Sequence, residues 1–248
     1  ARLFRLEPSR PLRTVRQAAA FVKERRMVMA AGRSSLPLIT EAIVGRHIRG
    51  SWMGDPEVYR IHGITHRLRS LDLLAVPLIL GKETLMDSSL GPAIARIAND
   101  TDRRGQVLRQ LTPLARQLLE RVEVTGRVRM DRWGPPTRQA RPARLLLERY
   151  LLVTGRDIHT ERGYHTSIVM PWRASAISRR FAAAARRLTF EKAQDVLLLA
   201  AIRAAVIAPE REVRRWFAFG AGRIDALLAQ GELQRLTVDG RAWLTRPS

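Results

Sequence analysis

The sequence predicts a mainly α-helical chain that carries β-hairpins, and therefore an α+β fold. Apolar residues recur at helical spacing in several segments, for example "TFEKAQDVLLLAAIRAAV" (189–206), where Thr189 can cap the helix. Short turns also lie between runs of alternating apolar residues, which is the pattern of a hairpin. They are Gly81-Lys82, Arg162-Gly163 and Asp239-Gly240, and they are spaced almost evenly along the chain.

The C-terminal part shows the order of elements most clearly. Pro209 opens a second helix after 189–206, and the glycines at 220 and 222 end it. A third helix is predicted over 223–231, with Ile224, Leu227 and Leu228 on one face. A hairpin around Asp239-Gly240 follows. Three helices followed by a hairpin form the winged-helix plan, in which the hairpin is the wing.

The same ending occurs twice more. A helix over 55–69 precedes a hairpin over 73–87, where Pro77 favours an edge strand because it cannot donate a ladder hydrogen bond. A helix over 141–153 precedes the hairpin 155–170. The repeated order predicts three tandem winged-helix modules.

The upstream segments complete this plan. Helices are predicted over 13–28, 36–46 and 106–122, the last kinked or divided at Pro113, whereas 123–139 predicts no element. The predicted modules are residues 1–88, 89–172 and 173–248.

The charge points to a polyanionic partner. Lys plus Arg is 44 and Asp plus Glu is 23, which leaves a net charge of +21. Nucleic acid is the first candidate and an anionic membrane surface the second. The most apolar run, 195–208, is interrupted by Arg203 and is too short to cross a bilayer, so we expect no membrane association. A GC-rich genome would explain the excess of Arg over Lys, but not the net positive charge.

Most classes of catalytic site are not indicated. The chain has no cysteine, which excludes disulfides, Cys-ligated zinc and thiol catalysis. It also lacks a phosphate loop, a nucleophile elbow and a dinucleotide fingerprint. We therefore expect no cofactor and no metal, in a cytoplasmic, nucleoid-associated protein whose oligomeric state the sequence does not indicate.

Two groups of histidines have residue types that occur in metal or catalytic sites. His159, Glu161 and His165 surround the middle turn: a two-residue loop would place the histidines on opposite faces, whereas a three-residue loop would pair them. His62 and His66 lie one helical turn apart without an evident third ligand. In both cases the sequence favours a polar, DNA-facing surface over a metal site.

The predicted DNA contacts are basic residues at matching places in the three modules, near the last helix and in the wing. They are Arg60, Arg67, Arg69 and Lys82 in the first module, Arg138, Arg141, Arg144, Arg156 and Arg162 in the middle one, and Arg223 and Arg241 in the last. Aromatic residues make up only 6% of the chain, which does not indicate an aromatic platform for single strands.

Three segments together resemble a known family. "AAAFVKERRMVMAAGRSSLPLITEAIVGR" (18–46), "RLRSLDLLAVPLILGKETLMD" (67–87) and "EREVRRWFAFGAGRIDALLAQGELQRLTVDGRAWL" (210–244) resemble the bacterial tandem winged-helix DNA-binding family that includes the AlkZ-type interstrand-crosslink DNA glycosylases. The resemblance is architectural and spans most of the chain. It implies a scaffold that binds DNA.

The chain departs from that family at one motif. The glycosylases carry a Gln-x-Gln or Gln-x-Asp motif shortly after the first helix, but the corresponding stretch here, "VMAAGRSSLP" (28–37), contains no glutamine. The sequence therefore predicts a protein that binds duplex or damaged DNA. The alternatives are a repair glycosylase on the same scaffold, with catalytic residues that cannot be assigned, and an RNA-binding or protein-docking winged-helix module.

Overall fold

The computed structural model describes residues 2–7, 10–160, 163 and 165–247, and its elements follow in chain order. The α-helices within these residues are α1 (Val15–Arg25), α2 (Ile39–Val44), α3 (Val58–Leu68), α4 (Gly91–Ala98), α5 (Thr101–Gln110), α6 (Pro113–Thr125), α7 (Thr137–Arg149), α8 (Ala176–Ala185), α9 (Phe190–Ala205), α10 (Glu210–Trp216) and α11 (Arg223–Ala229). The strands are β1 (Met27–Met29), β2 (Leu73–Ile79), β3 (Lys82–Asp87), β4 (Val128–Arg129), β5 (Val153–His159), β6 (His165–Pro171), β7 (Ile207–Pro209), β8 (Gln234–Val238) and β9 (Arg241–Thr245).

The described strands form three small antiparallel sheets with one shared topology. Their orders are β1-β3-β2, β4-β6-β5 and β7-β9-β8, so the second strand of each hairpin is always central. Pro77 lies in β2, at the edge of its sheet, as its missing N–H requires. Helices with three small sheets confirm the predicted α+β class.

A left-handed residue recurs at the start of each sheet. Arg26, Gly126 and Val206 all have φ between 64° and 72°, and each follows the last residue of α1, α6 or α9. This conformation ends the helix and turns the chain into the short first strand. The order helix, left-handed residue, short strand, helix and hairpin thus occurs three times. Two α-helices lie between the short strand and the hairpin in the first and third occurrences, whereas the second has the single α-helix α7 there.

The predicted helices and hairpins are present, but their first and last residues differ from the predicted ones. Thr189 caps α9 by accepting a hydrogen bond from the Lys192 N–H at 3.1 Å. Pro113 divides its segment into α5 and α6. The segment 123–139 contains β4 and the first residues of α7, and the sequence missed them.

The described chain divides into two compact units. One unit contains residues 1–91 and 194–248, and the other contains residues 92–193. The first has a core beneath α1, α2 and α3 that includes Phe21, Ile43 and Ile61. The second has a core beneath α6, α7 and the middle hairpin.

In the second unit a buried arginine fastens α5 to the end of α7. Arg103 is 5% exposed and donates to the carbonyls of Ile97, at 3.3 Å, and Tyr150, at 2.5 Å. Burial lowers the pKa of Arg103 to about 10, against the opposing effect of Asp100. At neutral pH the guanidinium remains charged and occupies carbonyls that the helix ends leave without partners.

Candidate nucleic-acid interface

In the first unit, the end of α3 and the following hairpin present exposed basic side chains. Arg67 and Lys82 are exposed and form no ion pair within the described residues. Arg69 is also exposed, but it binds Glu83 through its Nη2 atom at 2.6 Å from the carboxylate. The first two cations are therefore available to an anionic partner without breaking an existing pair.

Two of the predicted contacts have structural partners instead. Arg60 donates to the Ile43 carbonyl at 3.1 Å and pairs with Glu57 at 2.9 Å. Arg223 forms a bidentate pair with Asp195, at 2.9 and 3.0 Å, and so joins the start of α11 to α9. The Asp195 side chain is only 10% exposed, which makes this pair more than a surface contact.

The helix α10 is also committed to ion pairs. The Glu210 carboxylate accepts from both Arg214 and Arg235, and Arg214 reaches Asp225 on α11 at 2.7 Å. Hydrogen bonds from Arg235 hold the pKa of Glu210 below its usual range, with Arg214 acting in the same direction and burial opposing them. Outside this network, Arg241 at the start of β9 is exposed and unpaired within the described chain.

In the second unit, exposed cations lie along one helix and the hairpin that follows it. Arg138 and Arg141 in α7 and Arg156 in β5 are exposed, and the described residues give them no ion pair. Arg144 is different: it donates to the Ser167 hydroxyl and lies 3.8 Å from Glu148 and 3.7 Å from Asp157. Arg162 lies outside the described residues.

Glu148 explains why Arg144 faces inward. This carboxyl is 5% exposed, and burial raises its pKa, with Arg144 opposing and Asp157 reinforcing the rise. A side chain added at Gly155 would collide with the Glu148 carboxylate, so the hairpin approaches this acid closely. The Arg144–Glu148 contact is thus an internal feature of the unit.

The structure settles the register at the middle hairpin. His159 pairs with His165 along the backbone, which is the register of the three-residue loop, whereas Glu161 lies outside the described residues. The described residues contain no group of three or more His, Cys, Asp or Glu side chains that could hold a metal. His62 and His66 stack on each other in α3, with ring centroids 5.9 Å apart.

An exposed aromatic side chain lies on the same helix. Tyr59 is 89% exposed, and the spacing of Tyr59, His62 and His66 places all three on one outward face of α3. Gly63, on that face, has open space around its Cβ position. Phenol and imidazole groups can donate to and accept from base edges, so this face suits contact with a groove of nucleic acid.

One carboxylate ties the loop after β1 to α10. Glu212 accepts hydrogen bonds from the Ser34 hydroxyl, the Ser35 N–H and the Ser35 hydroxyl, all at 2.7 Å. The Trp216 indole N–H adds a fourth, at 2.9 Å. In the family that the sequence resembles, the glutamine motif would lie in this loop. In this chain the loop contains two serines that donate hydrogen bonds to a structural carboxylate.

The sequence missed a basic groove in the second unit. Its volume is about 670 Å³, and it lies along α6, β4 and the turn after β4. Its lining residues include four arginines, a tryptophan and one acid: Arg121, Arg127, Arg129, Arg132, Trp133 and Glu120. The clustering of arginines around a tryptophan in 121–133 was the available signal, although the sequence predicted no element beyond residue 122 there.

The comparisons with known proteins show a likeness in fold to a solved structure. No protein-family model matches the sequence, and no curated protein sequence does either. The solved structure of the Streptomyces sahachiroi DNA glycosylase AlkZ has a similar fold. The likeness has a TM-score of 0.50 at 14% sequence identity, and it covers 98% of this chain and 68% of that one. At this identity the likeness concerns the fold alone.

Among the described residues, no helix is both long and apolar enough to span a membrane.

Proposed function

We propose that this chain is a DNA-binding protein of three tandem winged-helix modules, over residues 1–88, 89–172 and 173–248, that acts on duplex or damaged DNA. The observation that carries the proposal is the threefold order of helix, short strand, helix and hairpin, with unpaired cations on the last helix of the first two modules and in all three hairpins. In a winged helix these two elements meet the groove and the phosphates.

The cations differ between modules in a way that refines the proposal. The phosphate contacts are Arg67 and Lys82 in the first module, Arg138, Arg141 and Arg156 in the middle one, and Arg241 in the last. Arg60, Arg144 and Arg223 position their own elements through the partners described above, and Arg69 would have to leave Glu83. Arg162 remains a proposed contact in the middle wing.

The last module contributes less to DNA and more to assembly of the first unit. Its α11 helix carries Asp225 on the exposed side, already bound by Arg214, and its α10 helix anchors the Ser34–Ser35 loop through Glu212. The Leu80 N–H at the first hairpin turn also donates to the Trp216 carbonyl at 2.8 Å. We therefore assign groove contact chiefly to α3 and α7.

Salt titration of binding to a labelled DNA duplex tests the proposal. Neutralised phosphates release counterions, so the affinity should fall steeply with salt, with a slope of about −0.9 for each phosphate contact. Structured RNA is the competitor, because winged helices also bind RNA and proteins. Binding that is independent of salt, or RNA that competes better than duplex DNA, would contradict the proposal.

A DNA glycosylase is the second candidate, and the fold of AlkZ is the observation that favours it. The stretch 28–37 lacks the glutamine motif, and its Ser34 and Ser35 hydroxyls are bound to Glu212. Incubation with alkylated or crosslinked DNA, followed by alkaline cleavage of abasic sites, decides between the two. Release of a base by the purified chain would establish that it is a glycosylase. DNA that is fully bound but remains intact would support a protein that binds DNA without cleaving the glycosidic bond.

A further inference from the structure

We propose that the basic groove of the second unit binds an unpaired nucleotide segment of nucleic acid, with a base on Trp133 and phosphates on the surrounding arginines. The inference rests on the proposed function, since it names a second form of nucleic acid that the chain would hold. It concerns a surface formed by α6, β4 and the turn after β4, and its lining includes none of the α7 and hairpin residues assigned to duplex DNA.

The charge of the groove selects an anion. Arg121, Arg127 and Arg132 are exposed, line the groove and form no ion pair with any described residue. Arg129 is held by Asp131, with hydrogen bonds of 2.8 and 3.2 Å, and Glu120 is the remaining acid of the lining. Guanidinium forks of this kind bind phosphate in bidentate fashion.

The remaining surface of the groove is aromatic and aliphatic. Trp133 packs against the core of the second unit on one side and lines the groove on the other, so its ring is held in place. Val124, on the same groove, is 84% exposed, so it adds an accessible aliphatic surface to the lining. A flat ring beside three free guanidinium groups matches a nucleobase joined to its phosphates.

The shape of the site favours an unpaired strand over a duplex. In a duplex each base already stacks on its neighbours, so its face is closed to an indole ring. The groove, with a volume of about 670 Å³, is open to solvent, so single nucleotides that leave the stack can reach it. A peptide of acidic residues alone, such as poly-glutamate, would satisfy the arginines but would leave Trp133 and Val124 without an apolar partner.

The experiment measures binding of the full chain to end-labelled oligo-thymidine, with oligo-uridine as the RNA counterpart. Trp133→Ala should weaken oligo-thymidine binding by about tenfold, the typical effect of losing one stacked base. Because Trp133 also packs on the core, Trp133→Phe and Arg121→Gln/Arg132→Gln serve as variants that retain the packing. Arg109→Gln, an exposed arginine of α5 outside the groove, is the matched control and should bind like the parent chain.

Two direct readouts locate the site. Oligo-thymidine should quench part of the indole emission of the parent chain, and the Trp133→Phe chain should lack that part. An oligonucleotide with 5-iodouracil should crosslink under ultraviolet light to the peptide that contains Trp133. Unchanged affinity in both the Trp133 and the arginine variants would overturn the proposal. So would equal binding of poly-glutamate, which shows a plain anion site.

Failure of the groove and failure of the proposed function are distinguishable. Duplex binding is measured in parallel, with Arg138→Gln/Arg141→Gln as the variant of the proposed duplex contacts. Oligo-thymidine binding that depends on Trp133 in a chain that does not bind duplex would support the groove and overturn duplex recognition. Duplex binding with no oligo-thymidine binding would overturn the groove alone.

Discussion

The Glu212 carboxylate accepts a hydrogen bond from the backbone N–H of Ser35 at 2.7 Å, although 177 residues separate the two positions. The same carboxylate accepts from two serine hydroxyls and from the Trp216 indole N–H. Four donors on one acid leave few of its lone pairs unused. The loop after β1 is therefore held by α10, in addition to local hydrogen bonds such as that from the Met29 N–H to the Pro37 carbonyl at 3.0 Å.

Replacement of this acid should destabilise the first unit. In Glu212→Gln, one carboxylate oxygen becomes an NH₂ group that faces donors and cannot accept from them. We expect a loss of about 1–2 kcal/mol in the free energy of unfolding, modest because the side chain is only partly shielded from solvent. Urea denaturation measures it, with the exposed Glu232→Gln as control. An unchanged denaturation midpoint would show that the loop is held by other contacts.

The same acid should make stability depend on pH. Burial raises the pKa of Glu212, but the hydrogen bonds from Ser34, Ser35 and Trp216 together outweigh it and lower the pKa. The stabilisation is then complete above the unfolded pKa of about 4.3 and is lost as the pH falls through the lower folded pKa. The difference in unfolding free energy between the parent and Glu212→Gln should shrink in that acidic range. A constant difference would contradict this assignment.

The sequence predicted the elements that have length and periodicity. The apolar face of α9 runs over sixteen residues, and this length leaves few alternatives to a helix. Asp239 and Gly240 adopt φ of 49° and 69°, the left-handed conformation that an Asp-Gly pair favours in a two-residue hairpin turn. The strands β1, β4 and β7 were missed, since two or three residues show no alternation. Their positions depend on the left-handed residues before them, and Arg26 and Val206 are not residue types that signal such a turn.

The candidate site was predictable only in part, for a related reason. Sequence position places Arg67 and Arg223 equally well near a third helix, but only the fold brings Asp195 within 2.9 Å of Arg223. Arg121 lies at the end of a predicted helix, but Arg127, Arg129, Arg132 and Trp133 lie in a segment without periodicity, so their convergence on one surface appears only after α6 and β4 are in place.

Arg223 and Arg241 should behave in opposite ways when changed to glutamine. Arg223→Gln leaves the mostly buried Asp195 carboxylate without its bidentate partner, which should cost about 2 kcal/mol of unfolding free energy. Its effect on the salt slope of DNA binding should be small. Arg241→Gln should retain stability and lower the slope by about 0.9. Denaturation and salt titration of both variants check the pair, and a reduced slope in Arg223→Gln would restore it as a phosphate contact.

Glu148→Gln should stabilise the second unit as the pH rises. Burial raises the pKa of Glu148, so the folded chain binds this proton more tightly than the unfolded chain does. The parent chain then loses stability as the pH rises from the unfolded pKa of about 4.3 through the folded one, whereas the neutral amide avoids that loss. Denaturation across this range should show a growing advantage of Glu148→Gln over the parent, relative to the exposed Glu120→Gln. An advantage that shrinks with pH would contradict the assignment.

The outward face of α3 should affect duplex affinity without changing the number of phosphate contacts. Tyr59 is 89% exposed and uncharged, so its contact with a base edge or sugar releases no counterion. Tyr59→Ala should weaken duplex binding by about fivefold at every salt concentration, which is the effect of one lost contact of about 1 kcal/mol. Arg67→Gln, on the same helix, should instead lower the salt slope by about 0.9. Fluorescence anisotropy at several salt concentrations separates the two effects. Equal affinity of Tyr59→Ala and the parent chain would show that this face of α3 does not contact the groove.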